Sequence, residues 1–454
     1  IRSCARRFGK SIASTRKDSD GRHDPGATLG RNMSMSTVRY SIAVAALAVM
    51  SAGCVVQETR PLPQMQATQA TQEVGEERLI DVGIRLFDPG IPKEVEEDPE
   101  KADEERIYPE IRRAEARYIP TRLRETLVGT AQWGAVRVVP SQVDSTDLIV
   151  SGEILESTGA ELKIRVRAED ATGREWLDKE YEGPADTRSY REGGNLGRDP
   201  FQNVYVTIAN DLLAARKALS DEQLETVQRV ADLRFASGFA PAAFEEYLGK
   251  DDKTGRYEVI RLPAENDPVL ERVAAIRERD ENLIDTVSDG YTAFSERMDE
   301  PYSNWRRYTY DEIKAEEKLK AQARTRMALG ALAVAAAVLV PDSCGSSNCA
   351  RITDAVRYGA AAGGVAAVMS GLKKREESKI HTETLKELSS SFESEAAPLV
   401  VDVEGRTLRL TGTAEEQYAE WRRLLHELYV EDTGLARGSS VADGTSGATS
   451  PGAG

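Results

Sequence analysis

The chain has 454 residues, of which 30% are charged, and a formal net charge of -16. That length suits two or three domains. The acidic surplus argues against a nucleic-acid backbone or an anionic bilayer surface as partner. Four cysteines and three histidines leave little material for a zinc site or a thiol active centre.

Residues 1 to 32 are basic and turn-rich, without an apolar period, so Met33 or Met35 is the expected start. From Met33 the chain runs MSMSTVRYSIAVAALAVMSAGC: Arg39 is positive, 41 to 50 are almost wholly apolar, and Ser51, Ala52 and Gly53 lead into Cys54. These are the three parts of an export signal, too short for a span of roughly 20 residues. The segment resembles bacterial lipoprotein precursors, whose signal ends in a lipobox and a cysteine, although Ser51 stands where leucine is preferred. The resemblance implies that the Cys54 thiol carries diacylglycerol and that Cys54 becomes the first mature residue. Val55 and Val56, in place of an aspartate, imply the outer membrane. Each buried methylene of such an anchor adds about 0.8 kcal/mol.

Residues 54 to 77, rich in Gln, Pro, Thr and Glu, read as a flexible tether. An α+β domain is expected over 78–218. It starts with a strand at 79–87 and an acidic loop from Asp88 to Glu105 that is too charged to bury, where Pro89, Pro92 and Pro99 break any helix. A helix over 110–128 follows, with Ala114, Tyr118, Leu123 and Leu127 at near-helical spacing. Strands come next at 135–140, 147–157, 161–170 and 174–183, the last three forming a meander around Thr158-Gly159 and Ala171-Thr172-Gly173. A helix at 200–218 closes the unit. This order describes a small mixed or antiparallel sheet with its apolar face covered by two helices.

Trp133-Gly134-Ala135-Val136, then Asp147-Leu148-Ile149-Val150-Ser151-Gly152, then Ala171-Thr172-Gly173-Arg174-Glu175-Trp176 follow one another at the ends of these elements. The pattern resembles a family of small periplasmic domains. That family includes the amino-terminal domain of the Tol-system β-propeller protein, auxiliary lipoproteins of lipid transporters and the curli-secretion lipoprotein. The likeness covers about 80 to 218 and implies a fold more than a partner; the acidic insert at 88–105 departs from it.

Residues 219–325 read as a charged helical region, with a capping box at Ser220 and Gln223 and breaks at Pro263, Pro268 and Pro301. Its aromatic cluster includes Tyr302, Trp305, Tyr308 and Tyr310; it either packs these helices on the sheet domain or forms a recognition surface. Two Ala/Gly-rich stretches, 327–340 and 358–370, suggest a helical hairpin over 326–373. Each is about 21 Å long as helix, short of a bilayer core of about 30 Å. Gly359 and Gly363 give small-residue spacing for close helix contact, and Cys344 and Cys349 are a candidate disulfide at the tip. The hairpin reads as a packed soluble pair, a membrane-inserting pair or an oligomer interface. An αββα module is expected over 374–430, with strands at 399–403 and 407–412 and a helix capped by Thr413 and Glu416. Part of it resembles half of a BON-type module. The tail, 431–454, is Gly-, Ser-, Ala- and Thr-rich and reads as disordered.

No nucleophile elbow, phosphate-cradling glycine loop or metal-spaced ligand set is legible; His381 and His426 stand apart in the chain. The expectation is a non-catalytic envelope lipoprotein without a cofactor and without nucleic acid as partner. It is a periplasmic scaffold or accessory factor for outer-membrane assembly, lipid traffic or secretion, binding an envelope protein or itself. The alternatives are an oligomeric pore or export-channel component and, third, an envelope hydrolase.

Overall fold

The structure is a computed structural model, describing residues 62–98, 101–102, 105–143, 145–190, 198–244, 246–264, 267–339, 387, 399–403 and 406–433. The protein is mixed α and β around a five-stranded mixed sheet, of the α+β kind the sequence suggests.

Strand β1 (Val82–Arg85) is central, and helix α1 (Pro109–Val128) carries the chain over to β2 (Val136–Val139), which pairs with β1 in parallel. A long β3 (Leu148–Ser157) pairs in parallel on the other side of β1, and β4 (Glu161–Asp170) and β5 (Glu175–Pro184) extend it as an antiparallel meander. The order is β2-β1-β3-β4-β5. Alternation sets the faces: Leu162, Ile164, Val166 and Ala168 of β4 point into the core, while Lys163, Arg165 and Arg167 point out and pair with Glu180, Asp178 and Glu175. Helix α2 (Gln202–Lys217) lies against the inner face with α1.

The residues of the family-like pattern act as backbone fasteners. Asp147 Oδ2 accepts the Asp81 N–H at 2.9 Å, and Asp81 Oδ1 accepts the Ala135 N–H at 2.7 Å, tying the starts of β1, β2 and β3 together. Asp170 Oδ1 accepts the Thr172 and Arg174 N–H groups across the β4–β5 turn, while Trp176 Nε1 donates to Asp170 Oδ2 at 2.8 Å. Gly173, at φ +81°, supplies the left-handed step of that turn.

Three expectations change beyond this point. The tether ends early: Asn203 and Asn210 of α2 accept the Met65 and Thr68 N–H groups at 3.1 and 2.9 Å, and Arg188 donates to the Leu62 carbonyl at 2.7 Å, so residues 62–68 are seated on the folded body. The acidic insert does contain helix, a short turn at Lys93–Glu97, because Pro92 stands at its N-cap, where a missing N–H costs nothing, and Val95 is buried beneath it. No boundary falls at 218, since Leu224, Val227, Val230 and Ala231 of helix α3 (Asp221–Phe239) belong to the same core as the sheet. The expected Ser220–Gln223 capping box starts that helix.

A small hairpin, β6 (Leu248–Lys250) with β7 (Tyr257–Val259), follows, within a region whose sequence reads as mostly helical. Next comes helix α4, Pro268–Leu339, 72 residues without interruption. Asp267 Oδ1 accepts the Val269 N–H at 2.8 Å and Pro268 opens the helix, so Pro268 is a start signal and not only a break. Pro301 lies inside the helix and does not end it. One missing hydrogen bond is outweighed because Met298, Tyr302 and Trp305 are buried on both sides of it. Strands β8 (Leu399–Val403) and β9 (Arg406–Leu410) then lead into helix α5 (Ala414–Thr433), with Thr413 and Glu416 capping as expected. Helix α5 is no separate module: Tyr418, Trp421, Leu425 and Tyr429 share a core with Phe235 and Phe239 of α3 and Ile284 of α4.

Candidate functional site

The described residues concentrate their buried chemistry where α4 is mounted on the sheet body. Two joints hold it, one near each end of the contact.

The first joint centres on Arg306, whose side chain is 1% exposed. Its Nη1 donates to Asp199 Oδ2 at 2.8 Å, and its guanidinium stacks 3.8 Å from the Tyr302 ring centroid, with Tyr118 and Phe201 also around it. Arg306 Nε and Nη2 and the Tyr205 hydroxyl have no hydrogen-bond partner among the described residues, so the aromatic faces replace part of the lost hydration. Beside it, Glu115 of α1 accepts hydrogen bonds from the Tyr302 hydroxyl and from Ser157 Oγ, the latter at 2.6 Å. Tyr118 donates to Asp299 at 2.8 Å. Burial pushes the Tyr118 and Tyr302 hydroxyls well above their ordinary pKa, which keeps them neutral donors. The β3–β4 turn closes the joint. A Cβ at Gly159 would lie 2.0 Å from the Arg306 carbonyl oxygen and 2.5 Å from the Tyr310 nitrogen, so the approach requires glycine.

At the second joint α4 covers the open edge of β2. The Val138 N–H donates to Ser288 Oγ at 3.0 Å and Arg137 forms a forked pair with Asp285 at 2.6 and 3.2 Å, which satisfies an edge strand that would otherwise be open to pairing. Behind it lies an acidic group, Asp81, Asp147, Asp232, Asp280 and Glu281, with Arg277 paired to Asp232 and Glu281. Burial raises Asp147 to about 7, against the pull of the Asp81 N–H, and raises Asp280 to about 6, against Arg422 and the Tyr418 hydroxyl. The crevice among these groups has about 20 Å³, room for a single water. Among the described residues, no three His, Cys, Asp or Glu side chains are arranged to hold a metal ion.

Of the residues singled out from the sequence, Tyr302 and Trp305 face inward, against Ile111, Ala114 and Tyr118 of α1. This corrects the recognition-surface alternative for those two: their apolar area is already covered within the chain. Tyr308 and Tyr310 are half-buried, and the Tyr310 ring lies 5.2 Å from Tyr190. Cys54, Cys344, Cys349, Gly359 and Gly363 lie outside the described residues. Arg306, Asp199, Glu115 and Asp147 were not singled out as site residues. The available signal was the stripe Val273, Ile276, Ile284, Val287, Tyr291, Phe294, Met298, Tyr302 and Trp305, which repeats every three or four residues straight through Pro301 once the buried Asp280 is counted between Ile276 and Ile284. Where the β3–β4 hairpin meets α4, a cleft of about 640 Å³ opens, with Arg106, Arg112 and Lys314 set against Glu156, Glu161 and Glu317.

No protein-family model matches the chain, and no curated protein sequence matches it. Among the described residues, no helix is long and apolar enough to cross a membrane.

Proposed function

We propose that the chain is a non-catalytic lipoprotein scaffold of the bacterial envelope, held by lipid at Cys54 on the periplasmic face of the outer membrane. The observation that carries the scaffold reading is the mounting of α4. A helix of 72 residues spans about 108 Å at 1.5 Å per residue. Among the described residues its last ion pair with the sheet body is Glu316 with Arg106, and the helix continues to Leu339. The remaining 23 residues reach about 35 Å farther. One buried charged joint and a second that closes the β2 edge are more than a short packing helix needs, but they suit an arm that must keep its direction. In this reading the Ala/Gly-rich stretch that begins at residue 327, at the end of that helix, is where an envelope partner or a second copy meets it. The lipid anchor rests on the lipobox sequence.

Photo-crosslinking residues placed singly over 326–339 in the membrane-bound protein test this reading. Adducts with one envelope protein, or with a second copy, are expected from one face of the helix. Labelling only by lipid from every position would replace the scaffold with the membrane-inserting alternative.

A further inference from the structure

A second concave region lies away from both joints, between the β4–β5 turn, α3 and β7. It is a cleft of about 410 Å³ lined by Arg174, Arg229, Arg256, Tyr257 and Leu262, with Glu258 the one carboxylate in its lining. Two elements build it. The Tyr257 N–H donates to the Thr172 carbonyl at 2.8 Å, and Gly173 lets the two turns pass closely, since a Cβ there would lie 3.3 Å from the Gly255 carbonyl oxygen. Arg174 and Arg256 have no side-chain hydrogen bond or ion pair among the described residues. Arg229 meets only Glu225, at 3.0 Å, in a pair open to solvent. Two more cations lie over the Tyr257 ring, Arg234 at 4.8 Å and Lys250 at 5.0 Å. In a chain of net charge -16, uncommitted guanidiniums gathered in one cleft run against the overall balance. In the lining, Leu262 is 55% exposed, a large aliphatic side chain without cover.

We propose that this cleft binds the phosphate group of an anionic membrane lipid. Guanidinium forks match phosphate oxygens in geometry and stay charged at every relevant pH. The exposed aliphatic side chain accounts for what a free anion leaves unused: Leu262 lies against the glycerol and first acyl carbons of a lipid whose headgroup occupies the arginines. Net negative charge keeps the rest of the surface off an anionic bilayer, so the contact is confined to one patch. The phosphate chemistry stands apart from the scaffold reading, whereas a lipid as its source rests on the envelope assignment.

The test uses the full chain carrying Cys54→Ser, so that no anchor contributes, and phosphatidylcholine vesicles with and without phosphatidylglycerol. Arg174→Gln with Arg256→Gln, in the same background, subtracts every other contact, including those of the basic leader. The double variant is expected to keep its thermal midpoint and to bind phosphatidylglycerol vesicles at least about tenfold more weakly, with a shallower salt dependence. Leu262→Ser is expected to weaken vesicle binding while leaving titration with inorganic phosphate unchanged. Equal vesicle binding by the parent and the double variant overturns the proposal. Binding of inorganic phosphate that depends on both arginines, without preference for phosphatidylglycerol, overturns the lipid source. Displacement of vesicles by an oligo-aspartate peptide as effectively as by pyrophosphate at equal charge overturns the phosphate assignment in favour of an acidic peptide.

Discussion

At the scale of single residues the joints depend on buried charge, whose loss is asymmetric. Arg306 and Asp199 are both almost fully buried, so replacing Arg306 with Met leaves a carboxylate uncompensated in the interior. The expected cost is about 3 to 5 kcal/mol, and the Arg306→Met, Asp199→Asn double variant should lose less than the sum of the two; urea unfolding of the four proteins gives the coupling. At the second joint the sign runs with pH. Asp147 holds its proton to about pH 7 when folded, against an ordinary value of 3.8. The folded chain therefore binds more protons than the unfolded chain between those values. The stabilising contribution is full below about pH 4 and is lost as pH rises through about 7. Asp280, raised to about 6, acts in the same direction. Asp147→Asn keeps an acceptor for the Asp81 N–H and removes the titration. Unfolding free energies at pH 5 and pH 8 should therefore differ less in the variant, by about 2 to 4 kcal/mol. An unchanged difference would mean that Asp147 is ionised at low cost.

Among the elements, α4 decides what the sheet can do, and two glycines separate its contacts from its intrinsic helicity. Gly159 touches the helix from outside at a distance no Cβ tolerates, while Gly290 sits within the helix with nothing within 4 Å. Gly159→Ala should push the β3–β4 hairpin away, lower stability by roughly 2 kcal/mol or more and expose residues 155–161 to protease. Gly290→Ala should stabilise by about 0.5 to 1 kcal/mol through helix propensity alone. If both variants behave alike, the hairpin does not bear on the helix. Helix α3 is the other element of consequence, because its first half completes the sheet core and its second half packs with α4 and α5.

For the molecule as a whole, shared cores set the smallest unit that folds. Fragment 78–218 lacks α3, α4 and the chain seated on α2, so the β2 edge and the polar groups around Glu115 lose their partners. It should remain aggregated or partly folded, whereas 62–433 should unfold in one cooperative transition in calorimetry; cooperative folding of the short fragment would restore a boundary at 218. Export carries its own expectation. Cys54→Ser should release the protein from membranes, and Cys344 and Cys349 should be joined in protein taken from an oxidising compartment. Rapid alkylation of both in untreated cells would argue against that location.

The meander, its two turns, helices α1 and α2 and the capping boxes of α3 and α5 were legible in the sequence, because alternation, turn chemistry and caps are local properties. The proposed lipidation at Cys54 likewise rests on linear sequence alone. Parallel pairing on both sides of β1 is not, since register between distant strands is fixed only when α1 crosses over the sheet. Nor is the continuity of α4: read alone, Pro301 ends a helix, and only the burial of Tyr302 and Trp305 against α1 offsets the lost hydrogen bond. The joints belong wholly to tertiary structure. Arg306 and Asp199 are 107 positions apart, and Tyr302 and Glu115 are 187 apart. In the sequence each is one more charged or aromatic residue; desolvation at a shared contact is what makes them the fasteners of α4.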